Sequence, residues 1–318
     1  MVKAHKPNLD APKLFPRVLV AGEDAGTLTA EGAKLLDPTG KLAVGVPFCP
    51  PEGDAGTGMV ATNAVAPRTG NISAGTSIFA MVVLEKPLTS VHEELDIVTT
   101  PGGDLVAMVH CNNGASELGT WAGVFTEFAK AIGGKSDANA VFGALFEAAL
   151  KGEADGGGLL AYNYLAGEPI TGLTEGRPLV VRTPGSPLNP ANFMRTQLYA
   201  AFGTLSLGMN VLTAEGVKLD SMFAHGGMFK TAGVAQRLLA AAIGAPVTVG
   251  DTASEGGAWG IAVLAEYLRS GKGKVLGDYL NERVFAGAKL DVAKPDADDV
   301  KGYGAWLKQY EAGLAIQK

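Results

Sequence analysis

Short apolar runs and helix-length amphipathic stretches alternate along this chain of 318 residues. Between residues 71 and 110 the apolar runs are brief and separated by Gly, Pro and charged residues, which is typical of short strands. The pattern therefore predicts a β-meander with strands at 72–74, 78–84, 97–100 and 105–110.

Helical periodicity follows the meander. It predicts helices at 116–132 and 138–150, then a glycine-rich break at 155–158 and an apolar run at 159–165. The longest predicted helix covers 192–212. Its apolar side chains recur at spacings of three and four, so one face of this helix is expected to lie in the core: Phe193, Leu198, Ala201, Phe202, Leu205, Met209 and Leu212.

Strands and helices alternate in the last third of the chain. The pattern predicts strands at 222–224 and 246–249, each followed by a helix, at 232–243 and 254–269. This order is typical of α/β proteins with a parallel or mixed sheet. A charged tail begins beyond Pro295, with a short helix predicted at 303–314.

The chain before residue 70 has a different pattern. Residues 1–15 are polar and proline-containing, which predicts an extended lead-in. Strands are predicted at 17–21 and 44–49, a helix capped by Thr29 at 29–36, and a second helix at 54–64. We place a domain boundary near residue 70, which divides the chain into 1–70, 71–290 and a tail at 291–318.

Two glycine-punctuated turns, about 150 residues apart, follow predicted strands. Gly75, Thr76 and Ser77 come after the strand at 72–74, and Gly226 and Gly227 follow the strand at 222–224. Small residues leave backbone N–H groups free to approach a phosphate, and a following helix adds the positive end of its dipole. Each turn also has an ordinary interpretation, as a hairpin turn and as a tight strand-to-helix connection.

The amino-acid composition limits the kinds of partner that this protein is expected to bind. A net charge of −6 without clusters of Lys and Arg disfavours nucleic acid and anionic membranes, so small molecules are the expected partners. The two cysteines, Cys49 and Cys111, are too few for a disulfide framework or a four-thiolate metal site. We find no leader-like apolar segment at the N-terminus and no apolar stretch of the ~18 residues that span a bilayer. A cytoplasmic location is expected.

The order of these motifs resembles the C-terminal half of the FGGY carbohydrate kinases, within the actin-like ATPase superfamily, over residues 17–270. The matching segments are Glu52-Gly53-Asp54, Gly75-Thr76-Ser77, Gly226-Gly227 and Glu255-Gly256-Gly257-Ala258. The resemblance implies an RNase H-like α/β domain preceded by a remnant of a second such domain. It also implies that Asp54 is catalytic, that Gly75, Thr76 and Ser77 bind ATP phosphate, and that Gly226 and Gly227 bind adenosine.

The same resemblance implies an activity and its partners: ATP-dependent phosphorylation of a sugar or polyol, with a ketopentose expected, and Mg²⁺ arriving with the nucleotide. About two hundred residues that normally precede this region in the family, including a phosphate-binding hairpin, have no counterpart here. The alternative is therefore a non-catalytic fragment that binds nucleotide or a partner. A homo-oligomer or a separately encoded N-terminal half is the expected association.

Asp54 follows a Pro-Pro-Glu-Gly turn, where a carboxylate at the mouth of a cleft could act as a general base; its ordinary interpretation is a helix N-cap. The tetrapeptide Asp-Ala-Gly-Thr occurs at 24–27 and again at 54–57. Neither copy is interpreted as the phosphate hairpin, because no apolar strand runs directly into either Asp.

The remaining candidates receive structural interpretations. His110, Cys111, Asn112 and Asn113 are expected to form a buried or substrate-edge polar turn rather than a metal or nucleophile site, and no metal ligands are assigned. His225 is interpreted either as a ribose contact or as structural. Arg195 is expected to be solvated or ion-paired, and Trp121, Trp259 and Trp306 are expected in the core.

Overall fold

Helices and strands fill most of the part of the chain that the computed structural model describes, which comprises residues 11–14, 16–135, 137–250, 256–271 and 273–317. The strands are β1 Thr69–Ala74, β2 Ile78–Val83, β3 Asp96–Thr99, β4 Leu105–Cys111, β5 Leu159–Tyr162, β6 Leu179–Arg182, β7 Ser221–His225, β8 Val247–Gly250 and β9 Leu290–Ala293. The α-helices are α1 Ala30–Leu36, α2 Asp54–Ala61, α3 Ser116–Ala131, α4 Ala138–Ala149, α5 Pro190–Ala214, α6 Val234–Ile243, α7 Gly256–Ser270, α8 Leu276–Tyr279 and α9 Ala297–Gly313.

A mixed sheet of seven strands organises the molecule, in the order β3-β4-β2-β1-β7-β8-β9. β1 pairs in parallel with β7, and β7 in parallel with β8. β2 is antiparallel to both β1 and β4, so β4 points the same way as β1. The carboxyl ends of β1, β4, β7 and β8 therefore lie at one edge of the sheet. β5 and β6 form a separate two-stranded ribbon.

Each face of the sheet has its own core. Ile72, Ala74, Val109 and other inward side chains pack with α5, α6 and α9 on one face. Asn71, Met81 and Val106 lie at the alternate positions of these strands, whose side chains point to the other face of the sheet. On that face Met81 and Val106 pack with α2, α7 and α8. This alternation is the period of two that strands impose, so the sheet is the middle layer of an α/β/α sandwich.

The last long helix, α9, is integral to the first core. Its aromatic side chains Trp306 and Tyr310 are at most 1% exposed. Asp299 of α9 accepts hydrogen bonds from two arginines, Arg195 of α5 and Arg237 of α6. The side chains of Arg195 and Asp299 are only 3% and 4% exposed. Charge pairing in this buried position joins three helices, and the expected ion-paired state of Arg195 is confirmed.

Most predicted elements are confirmed within a few residues, but the two early strands are wrong. Residues 17–21 lie outside any strand, with Val18 84% exposed. Residues 44–49 form no strand: they make one isolated bridge, between Thr27 and Pro47, and four backbone hydrogen bonds with residues 25–28, among them Leu28 N–H to Val46 O at 2.8 Å and Phe48 N–H to Gly26 O at 2.9 Å. Pro47 has no backbone N–H to extend a ladder, which limits that pairing. The predicted tail helix is longer than expected, because Asp296 caps it from 297.

Some predictions fall outside the described residues: the lead-in at 1–10 and residue 15, and the start of the helix predicted from Ser254. The predicted division of the chain at residue 70 stays a prediction. In the structure α2, which precedes that position, packs against β1 and α7. No helix in the described ranges is both long and apolar enough to cross a membrane.

The buried charge cluster makes a prediction about stability. Asp299→Ala leaves the Arg195 guanidinium buried without its carboxylate, which is expected to cost about 3–5 kcal/mol of unfolding free energy. The neighbouring variant Asp298→Ala is the matched control, since Asp298 is exposed in the same helical turn; its loss is expected to cost at most about 1 kcal/mol. Urea denaturation of both variants measures the difference, and equal midpoints would contradict the buried-pair account.

Candidate functional site

The carboxyl edge of the sheet gathers the sequence-predicted turns. Gly75, Thr76 and Ser77 connect β1 to β2, Gly226 and Gly227 follow β7, and residues 112–115 follow β4. Because β1 and β7 pair in parallel with Ser73 opposite His225, the two glycine turns leave neighbouring strands side by side. Ligands of open α/β sheets bind at this kind of edge.

The Gly75–Ser77 turn, residues 75–77, is exposed at its tip but held by backbone hydrogen bonds. Gly75 N–H donates to Ser77 O at 2.9 Å, Gly114 N–H to Thr76 O at 2.7 Å and Ala115 N–H to Gly75 O at 2.8 Å. The hydroxyls of Thr76 and Ser77 have no hydrogen-bond partner among the described residues. The turn therefore presents two free hydroxyl groups on a fixed backbone.

Gly226 lies directly against the end of β1. It has φ of 123°, and a Cβ placed on it would lie 2.0 Å from the carbonyl oxygen of Ala74. Only a residue without a side chain fits there, whichever rotamer is chosen. Gly227, by contrast, has no atom within 4 Å of a Cβ position and begins the short 3₁₀ turn Gly227–Lys230. The structure thus brings together the two turns whose shared location the sequence could only suggest.

Two polar side chains, of Asn71 and His225, line the same face of β1 and β7. His225 is half-buried, burial lowers the pKa of its imidazole, and its Nε2 has no hydrogen-bond partner among the described residues. Asn71 is 1% exposed, and both its amide atoms lack partners among the described residues. Sequence reasoning named His225 but missed Asn71, whose only signal was a polar residue inside an apolar strand.

Asp54 is the first residue of α2, with Gly53 as the N-cap. The carboxylate is exposed, and its Oδ1 accepts a hydrogen bond from Ala55 N–H at 2.9 Å. The predicted alternative, Asp54 as the N-cap itself, is therefore not what the structure has.

α2 is joined to β1 by residues 62–68, and it packs over that strand: a Cβ on Gly58 would lie 3.5 Å from Asn71 Nδ2. Its first turn packs against α7, since a Cβ on Gly257 would lie 3.7 Å from Thr57 Oγ1. The N-terminal end of α2 therefore lies beside α7.

The predicted polar turn at 110–113 is confirmed only in part, because His110 and Cys111 belong to β4, and His110 and Asn112 are exposed while Cys111 and Asn113 are buried. Asn113 belongs to a buried hydrogen-bond network. Asn113 Nδ2 donates to Glu168 Oε2 at 3.0 Å, and Asn163 Nδ2 donates to Gly114 O at 2.8 Å. Burial raises the pKa of Glu168, against the lowering effect of the Asn113 hydrogen bonds, and burial also raises the pKa of the Cys111 thiol. Glu168 and Asn163 were missed because they lie some fifty residues away in sequence.

The other candidates occupy different places. Trp306 is in the core and Trp121 packs edge-on against Phe193, as expected. Trp259 is 40% exposed, so the expectation of a core position was wrong; it lines a cavity of about 200 Å³ with Phe223, Thr248 and Leu290. Glu255 lies outside the described residues. In the described ranges no three His, Cys, Asp or Glu side chains are placed to hold a metal ion.

The close approach at Gly226 makes a prediction about stability. Gly226→Ala forces a Cβ against the Ala74 carbonyl at a positive φ, and is expected to cost about 2–4 kcal/mol of unfolding free energy. Gly227→Ala, one residue later, meets open space and is expected to stay within about 0.5 kcal/mol of the parent. Chemical denaturation compares the two. If the variants are equally stable, the two turns are not in the tight contact described.

Comparison with known proteins identifies the family to which this chain is similar. Residues 70–268 match the model of the FGGY family of carbohydrate kinases, C-terminal domain. Among solved structures, xylulose kinase from Rhodospirillum rubrum is similar at 18% identity and a TM-score of 0.75, over 95% of this chain and 57% of that chain. Gluconate kinase from Lactobacillus acidophilus is similar at 17% identity and a TM-score of 0.73, over 95% of this chain and 57% of that chain.

A glycerol kinase from Plasmodium falciparum, solved with ADP, is similar at 15% identity and a TM-score of 0.66, over 96% of this chain and 56% of that chain. The chain therefore spans just over half the length of these structures. No curated protein matches it at a significant level. The predicted α/β fold is confirmed by the shared architecture, and the match over residues 70–268 shows that the chain belongs to the FGGY family of carbohydrate kinases.

Proposed function

We propose that this chain binds ATP at the carboxyl edge of the sheet and takes part in phosphorylating a hydroxyl group of a sugar or polyol. The single observation that carries the proposal is the contact of Gly226 with Ala74, which puts the Gly75–Ser77 turn beside the Gly226–Gly227 turn. One elongated ligand could contact both turns, as ATP does when its phosphates and its adenosine bind separately.

The residues present suit a nucleotide. Thr76 and Ser77 offer to phosphate oxygens two hydroxyl groups that have no hydrogen-bond partner among the described residues. The backbone of Gly226 and Gly227 can approach an adenosine closely because neither residue carries a Cβ. In the proposal these two glycines bind adenosine and residues 75–77 bind phosphate.

Asp54 is proposed as the general base. Its carboxylate is exposed at the start of α2, so it is free to accept the proton of an attacking hydroxyl group. Bound MgATP supplies the phosphoryl group and the charge neutralisation by the cation. With no dedicated carboxylate cluster among the described residues, Mg²⁺ would be held chiefly by the nucleotide phosphates.

The acceptor is proposed to be a ketopentose. Support comes only from neighbouring structures, two of which are xylulose kinases at 18% identity. Gluconate and glycerol kinases share the same fold, so the acceptor must be found by assay.

Calorimetric titration with ATP and MgCl₂ tests the nucleotide site, and a kinase assay over a panel of ketopentoses, aldonates and polyols tests the reaction. Asp54→Asn is expected to lower phosphorylation by about 10²–10⁴-fold, because it removes the base, while ATP affinity stays unchanged.

Asp24→Asn is the matched control, since Asp24 opens the other Asp-Ala-Gly-Thr copy and only accepts a hydrogen bond from Gly26 N–H at 2.8 Å. It is expected to keep full activity. Wild-type turnover by Asp54→Asn would remove Asp54 from the mechanism, and absence of ATP binding by the parent chain would remove the nucleotide site.

A second candidate function, binding of a protein partner, is favoured by exposed apolar side chains in the segment 17–48. Val18, Leu35 and Val44 are 84%, 81% and 61% exposed. We propose that this surface is covered by another protein chain, either a second copy or a separately encoded N-terminal half. The predicted edge strands of this segment play no part in the proposal, since the segment forms no strand.

Light scattering tests self-association. The parent chain is expected to show a mass above that of one chain, and Leu35→Ser/Val44→Ser is expected to shift the mass toward the monomer by removing apolar contact area. Val91→Ser is the control, since Val91 is 97% exposed but outside this segment. If the parent chain is monomeric, self-association is excluded, and the surface could only bind a partner of different sequence. Co-expression with an N-terminal half would then test for that partner.

A further inference from the structure

The Gly75–Ser77 turn rests on a second loop, residues 112–115, that carries no sequence motif for phosphate. Gly114 and Ala115 donate backbone hydrogen bonds to Thr76 O and Gly75 O, at 2.7 and 2.8 Å. The contact is tight: a Cβ on Gly114 would lie 2.6 Å from Gly75 O. Any movement of residues 112–115 must therefore move the turn.

One side chain fixes that loop. Asn113 is 5% exposed and uses its whole amide: Oδ1 accepts from Leu165 N–H at 2.8 Å and from Ala166 N–H at 3.0 Å, while Nδ2 donates to Ala166 O at 3.1 Å and to Glu168 Oε2 at 3.0 Å. These partners belong to residues 165–168, which follow β5. The loop after β4 is thereby held to residues 165–168, which lie outside both glycine turns.

The partners of Asn113 are themselves constrained. Glu168 is fully buried, and the backbone of Glu168 exchanges two hydrogen bonds with Leu173, at 2.7 and 3.0 Å. Asn163, 4% exposed, donates from Nδ2 to Asn113 O at 3.2 Å and to Gly114 O at 2.8 Å. Asn163 Oδ1 and Glu168 Oε1 are buried without a hydrogen-bond partner among the described residues, so the network is held by the bonds that Asn113 makes. Removing one of those bonds leaves a further buried polar group unpaired, which costs about 1–3 kcal/mol.

We propose that Asn113, held by Glu168 and Asn163, is a positioning residue that sets the Gly75–Ser77 turn in its phosphate-binding geometry. It acts through the backbone of Gly114 and Ala115 and touches no ligand itself. The inference rests on the proposed function for its effect on ATP, but the geometric part stands on hydrogen bonds within the chain. A displacement of about 1 Å in such a support can cost up to about 10²-fold in function.

The experiment compares Asn113→Ala with Asn112→Ala. Asn112 is the adjacent exposed residue, and its only side-chain hydrogen bond goes to Gly167 O at 2.9 Å. Asn113→Ala is expected to weaken ATP binding by about 10- to 100-fold in calorimetry, whereas Asn112→Ala is expected to bind like the parent. In the kinase assay the KM for ATP should rise while the KM for the sugar stays unchanged.

Hydrogen exchange gives a readout that needs no nucleotide. The amide hydrogens of Gly114 and Ala115 are expected to exchange at least about tenfold faster in Asn113→Ala than in Asn112→Ala, because their acceptors on the turn become mobile. If the parent chain binds no ATP, the proposed function fails, and these exchange rates alone decide the positioning role. Equal exchange rates and equal ATP affinity in the two variants would overturn it.

A second pair of variants, which moves the carboxylate from position 168 to position 113, keeps the test decisive if Asn113→Ala does not fold. Asn113→Asp places a carboxylate oxygen opposite Glu168 Oε2 and Ala166 O, two acceptors, and should loosen the turn. Adding Glu168→Gln restores a donor to that contact. The double variant is therefore expected to recover slow exchange at Gly114 and Ala115 and most of the ATP affinity. A double variant no better than Asn113→Asp alone would contradict the proposal.

Discussion

The contact between Gly226 and the carbonyl of Ala74 is the constraint on which the site depends. Parallel pairing of β1 and β7 brings their ends together, but strand pairing alone leaves room for side chains above and below the sheet. At Gly226 the chain turns across the neighbouring strand, and a Cβ would meet the Ala74 oxygen at 2.0 Å. The two turns can therefore serve one ligand only while this residue remains glycine.

Every other part of the edge is arranged around that contact by elements far apart in sequence. α2, which begins with Asp54, crosses α7 closely: a Cβ on Gly260 would lie 2.0 Å from Thr57 O. The loop after β4 reaches the Gly75–Ser77 turn from the other side through Gly114 and Ala115. Backbone groups make all three approaches, so the geometry of the edge is set by main-chain packing and has little freedom to relax.

Sequence patterns predicted the helices and strands well, but they predicted poorly which of these elements contact one another. The meander, the long helix α5 and the strand–helix alternation near the C-terminus follow from local periodicity, which any one segment displays by itself. The early strands at 17–21 and 44–49 were wrong because β propensity was counted without regard to pairing. Residues 17–21 join no strand, and residues 44–49 pair only with the short segment 25–28, where Pro47 lacks the N–H that a longer ladder needs.

The residues of the candidate site fall into two groups: those that sequence motifs could name, and those that only the structure shows. Gly75, Thr76, Ser77, Gly226, Gly227 and Asp54 could be named from motifs, and the structure places the glycine turns together at one edge. Asn113 was noticed only as part of a polar turn, and Glu168 was not noticed, because their hydrogen bond joins positions 55 residues apart. A single sequence carries no signal for such a pair. The orphaned amide of Asn71 was missed for a different reason, since one polar residue in a strand is common.

The electrostatics of the edge follow from this reliance on the main chain. The chain has a net charge of −6, and none of the motif residues at the edge is a Lys or Arg. Among these motif residues, positive potential can come only from main-chain N–H groups, which are fixed partial charges whose effect is of short range. Such a site attracts an anion only at short range and loses its potential when the backbone shifts.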